Sequence, residues 1–62
     1  MMDLNKLIAE AMKERVTHER LNREFGANDP RTVASQRREM QLWITVGRTA
    51  DEVLDVINTY QP

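Results

Sequence analysis

Apolar positions recur along this chain at spacings of three and four residues, and nowhere do they settle into the two-residue alternation of a strand. From Asp3 to Phe25, Leu4, Leu7, Ile8, Ala11, His18, Leu21 and Phe25 fall on one broad face at about 100° per residue. Met12 sits at its edge, while Lys6, Glu10, Lys13, Glu19, Arg20, Arg23 and Glu24 occupy the remainder. The pattern predicts an amphipathic helix over 3–25. Asp3 is placed to cap its start, and Gly26 stands where a left-handed C-cap belongs. In heptads, the a positions are Leu4, Ala11, His18 and Phe25, and the d positions are Leu7, Glu14 and Leu21. Glu14 and His18 interrupt the apolar seam, so the stretch from Lys13 to Arg20 is expected to be the weakest packed.

Gly26-Ala27-Asn28-Asp29-Pro30 is the clearest break. Asp29 is a good N-cap, and Pro30 suits a first helical position. A turn this short favours an antiparallel pair of helices. The second helix is predicted over 30–46, with Val33, Arg37, Met40, Trp43 and Ile44 on one face and Leu42 and Val46 pointing the opposite way. Trp43 is the expected packing anchor. Gly47 is expected to end this helix. Thr49-Ala50-Asp51-Glu52 then reads as a capping box opening a third helix over 50–60, with Ala50, Val53, Leu54, Ile57 and Tyr60 on one face and Pro62 unable to continue it. The expected fold is all-α: one small domain over 1–62, a helical hairpin plus a short third helix closing part of the groove.

Size changes that picture. A chain of 62 residues buries a small share of its surface, and this one has no cysteine for a disulfide. With a single histidine, a structural zinc site would have to be shared between chains or built on carboxylates. Self-association into an oligomeric helical bundle is therefore expected. Nine basic and ten acidic side chains leave a net charge of −1, without the basic excess that phosphate-driven nucleic-acid binding advertises. No apolar stretch approaches the roughly 20 residues of a membrane span. The start lacks the basic and apolar regions of a signal peptide, and cytoplasm is the default compartment. Charge is unevenly shared: residues 29–48 carry four arginines against two carboxylates, and residues 49–62 carry three carboxylates and no cation.

Candidate chemistry is sparse. His18 lies one turn after Glu14, which reads either as half of a metal or acid–base pair or as a polar notch setting register in a seam. Arg31, Arg37, Arg38 and Arg48 are candidate anion-binding groups, or a solvated face paired with Glu39 and the acidic third helix. A helix-turn-helix over 30–60 would place an acidic recognition helix against phosphates, so DNA binding is disfavoured. No catalytic site, metal or cofactor is expected.

Phe25-Gly26-Ala27-Asn28-Asp29-Pro30, followed by Val33, Ser35-Gln36, Glu39 and Ile44, resembles the small sporulation-regulator aspartyl-phosphate phosphatases. Those are helical hairpins of similar length with a Ser-Gln-Glu-Leu-Asp signature on the second helix. The resemblance implies dephosphorylation of a response regulator through Ser35, Gln36 and Glu39, with Arg37 and Arg38 standing where the family has Glu and Leu, and Glu39 where it has Asp. The stretch from Phe25 to Ser35, with Val46-Gly47-Arg48-Thr49-Ala50, also resembles a single tetratricopeptide repeat, in which Gly-Arg lies between the helices. The reading favoured by the residues themselves is a small non-enzymatic protein–protein interaction module, a regulator or adaptor of a bacterium or phage. It is expected to associate with itself and with another protein, with Leu7, Ala11, Leu21, Phe25, Met40, Trp43, Ile44, Leu54 and Ile57 serving packing or partner contact. Leu42 and Val46 are expected to form a second contact surface.

Overall fold

The structure, a computed structural model, describes residues 3–60. Two α-helices, α1 over Leu4–Phe25 and α2 over Pro30–Tyr60, pack as an antiparallel hairpin, with no strand among the described residues. The first helix and the turn form as their caps dictate. The Asp3 carboxylate accepts a hydrogen bond from the Asn5 N–H at 3.0 Å. Gly26 takes a positive φ of 89°, and its N–H donates to the Asn22 carbonyl. Its ψ of 162° lies outside the left-handed helical region, so the chain leaves α1 extended rather than curled. Asp29 caps α2 by accepting from the Arg31 N–H at 2.9 Å. The Arg31 guanidinium returns two bonds to the same carboxylate and lies 3.5 Å above the centre of the Phe25 ring, clamping the turn.

The expected third helix does not exist. Gly47 neither ends α2 nor bends the chain away, and Thr49 to Glu52 lie inside a helix of 31 residues instead of capping a new one. A glycine in a helix interior loses only about 1 kcal/mol relative to alanine. No proline removes a backbone donor between Arg31 and Tyr60, so the backbone ladder runs on. The short helix expected to close a groove is instead a straight continuation. The helix-turn-helix geometry weighed for 30–60 is absent with it, and Gly47-Arg48 lies within α2 rather than between helices. Pro62 lies outside the described residues.

Heptad spacing organises the contact. Along α2, Thr32, Ser35, Glu39, Leu42, Val46 and Thr49 follow steps of three and four, and all are buried or half-buried. They face Leu4, Leu7, Ala11, Glu14, His18 and Leu21 of α1, which follow the same steps. Among the described residues only Leu7, Ala11, Thr32 and Ser35 are fully enclosed, and the Thr32 hydroxyl has no hydrogen-bond partner there. Because α1 has 22 residues and α2 has 31, α2 outruns its partner. Every residue from Asp51 to Tyr60 is exposed, although the same heptad line continues there as Val53, Val56 and Tyr60. The molecule is a rod of 53 × 16 × 15 Å. Its radius of gyration, 15.2 Å, is well above the roughly 11 Å of a globular chain of this length.

Candidate interaction surface

The two polar residues that interrupt the α1 seam are each answered from α2. Glu14 accepts hydrogen bonds from the Ser35 hydroxyl and from Arg38 Nε, both at 2.9 Å. His18 Nδ1 and Glu39 Oε1 are 3.1 Å apart, and a carboxylate can only accept, so Nδ1 carries the proton. The second Glu39 oxygen accepts from the Trp43 indole N–H at 3.0 Å. Glu14 and His18 sit one helical turn apart on α1, and Ser35 and Glu39 one turn apart on α2, so two matched polar pairs form the middle of the hairpin. Glu14 and His18 bond across the hairpin and not to each other. Among the described residues no three His, Cys, Asp or Glu side chains converge as a metal site.

Glu14 titrates below its ordinary value of 4.5: partial burial pushes its pKa up, but hydrogen bonds from Arg38 and Ser35 and the Arg38 charge outweigh that. A carboxylate with a depressed folded pKa adds stability that is fully present above its unfolded pKa and is lost as pH falls through the folded one. Stability should therefore decline as pH drops below 4.5, and Glu14→Gln should flatten that decline. Urea titrations of both chains across the acid range check this. An unchanged slope in Glu14→Gln would assign the acid sensitivity elsewhere.

Beside this polar middle runs a shallow groove of about 460 Å³, lined by His18, Gln36, Glu39, Met40, Trp43 and Ile44. Its surface is mainly apolar. Met40 and Ile44 are exposed, at 54% and 41%, and Trp43 is half-buried. Leu42 and Val46, expected to form a second contact surface, lie on the half-buried heptad line toward α1. Leu7 and Ala11 are core, Leu21 is half-buried, and Phe25 is exposed beneath Arg31. Leu54 and Ile57 stand exposed on the projecting end.

The arginines divide. Arg31 is committed to Asp29 and Arg38 to Glu14. Arg37 and Arg48 are exposed, with no carboxylate at ion-pair distance among the described residues. Of the residues matching the phosphatase signature, Ser35 is wholly enclosed and bonded to Glu14. Glu39 is turned inward to His18 and Trp43, and Gln36 is exposed at the groove.

No family model matches the chain, and no curated protein and no solved structure matches it either. No described helix is long and apolar enough to cross a membrane.

Proposed function

We propose that this protein is a small non-enzymatic interaction module that works by helix-face association, with itself and with another protein, in a regulatory or adaptor role. One observation carries the reading. The heptad line that α1 covers between Thr32 and Thr49 continues uncovered to Tyr60, with Val53, Leu54, Val56 and Ile57 exposed around it. Contiguous exposed apolar surface of this kind marks an association site. Ser35 and Glu39, two of the three residues that the phosphatase resemblance singles out, hydrogen-bond within the hairpin, which favours the non-enzymatic reading.

Sedimentation equilibrium over a wide concentration range, with helicity followed on the same samples, tests the proposal. The expected result is a mass above 7.3 kDa, with helicity that falls on dilution. Leu54→Asp with Ile57→Asp should weaken association by about 100-fold or more, a loss of roughly 3 kcal/mol. Both side chains are exposed in the single chain, so dilute helicity should change little. Association untouched by the pair of substitutions would remove the projecting end from the binding surface and overturn the reading.

A further inference from the structure

We propose that the groove beside α2 is the docking site for a second copy of this chain, running antiparallel. The two α2 helices cross at Gly47, and the projecting end of each copy lies along the groove of the other. The inference rests on the association reading above and adds its occupant, direction and register.

Gly47 is the first reason. Its φ is not positive, and a Cβ built there meets nothing within 4 Å, so nothing inside the chain requires a glycine. Yet it weakens the middle of a long helix. At about 100° per residue it lies on the same side of α2 as Met40, Trp43 and Leu54. A position without a side chain, inside a line of large apolar ones, lets a second helix backbone come close. Met40 and Leu54 are equally far along α2 from Gly47. An antiparallel crossing there sets Met40 of one copy against Leu54 of the other, twice. The same register lays residues 51–58 beside residues 36–43 of the second copy, where the groove is.

Charge selects the direction. Arg37 and Asp55 share one flank of the apolar line and lie on opposite sides of Gly47. A two-fold axis brings like flank to like flank, so Arg37 of each copy meets Asp55 of the other. More broadly, the half of α2 before Gly47, with Arg31, Arg37 and Arg38 against the single carboxylate Glu39, lies beside the half after it, with Asp51, Glu52 and Asp55 against the single cation Arg48. A parallel pairing would set those carboxylates beside their own copies.

Area supplies the scale. A folded monomer of 7.3 kDa is expected to expose roughly 4,200 Å². This chain exposes 5148 Å², an excess of roughly 1,000 Å². Stable interfaces bury roughly 600–1,000 Å² per partner.

The test uses the whole chain, which has no cysteine of its own. Gly47→Leu should raise helicity in dilute solution, because leucine favours helix over glycine, while weakening association by about tenfold or more through loss of the close crossing. Mixed Arg37→Cys and Asp55→Cys chains, oxidised together, should form the cross-disulfide in preference to either symmetric one. Wild-type association that survives Gly47→Leu at unchanged affinity overturns the inference alone, as does preferential linkage of Arg37→Cys chains to each other. A wild-type chain that remains a folded monomer of 7.3 kDa throughout overturns it together with self-association. If Leu54→Asp with Ile57→Asp abolishes association but Gly47→Leu does not touch it, the module reading stands and this register falls.

Discussion

Leu7→Ala is expected to remove most of the stability of the isolated hairpin. Leu7 is 5% exposed and, among the described residues, is the one large aliphatic side chain that the fold encloses. Its neighbour on the seam, Ala11, has only a methyl group, too short to refill the space, and the next position, Glu14, is held by Ser35 and Arg38. Collapse around the void is therefore limited, which places the loss within the usual range of about 2–5 kcal/mol for a buried leucine. A chain of this length has only about 3–9 kcal/mol to lose. Urea unfolding at one low concentration checks the result, with Leu54→Ala as the reference. Leu54 is an equal side chain on the uncovered end, 54% exposed, and its loss should barely move the midpoint of the dissociated chain. Equal midpoints for the two variants would mean that the α1–α2 seam is not where the chain is held.

Gly47→Pro is the second large effect, and it separates a continuous α2 from two helices joined at residue 47. Proline there removes the N–H that bonds the Trp43 carbonyl in an unbroken helix, and its ring strikes that same carbonyl. The expected loss is about 3 kcal/mol or more, with a fall in helicity from residues 44–60. A link between helices would accept proline with little change, because such links tolerate a missing donor. Circular dichroism of the variant beside the parent gives the answer directly. Retained helicity with an unchanged midpoint would restore the break at Gly47.

The contrast between α1 and α2 explains what could be read from residues alone. Asp3, Asp29 and Pro30 do locally what their chemistry implies, because each acts on neighbouring backbone groups, and Gly26 takes the expected positive φ without the left-handed helical ψ. Gly47 and the Thr49–Glu52 pattern are local signals too, but a capping box has work only where backbone donors are orphaned. With the helix unbroken, they are not. The line Thr32, Ser35, Glu39, Leu42, Val46, Thr49, Val53, Val56, Tyr60 passes Gly47 without a phase slip, and that uninterrupted period was the available sign of one helix. Sorting α2 by apolar residues hid the line, since its first half is polar. The polar middle of the site was legible only as a pair of patterns. Glu14 and His18 sit four residues apart in one seam, Ser35 and Glu39 four apart in the other, and neither pair means much without its counterpart.

The scarcity of enclosed hydrocarbon has a calorimetric consequence. The heat capacity of unfolding rises with the apolar surface released and falls with the polar surface released. This hairpin encloses Leu7 and Ala11 alongside Thr32 and Ser35, and ties its middle with carboxylate hydrogen bonds. Its opening therefore releases less than the usual roughly 12–15 cal/mol/K per residue. The curve of stability against temperature is correspondingly broad and flat, with cold denaturation displaced far below the freezing point. In the proposed association, the exposed apolar side chains from Val53 to Ile57 would leave water only in the binding step, and their heat capacity would appear there instead of in folding.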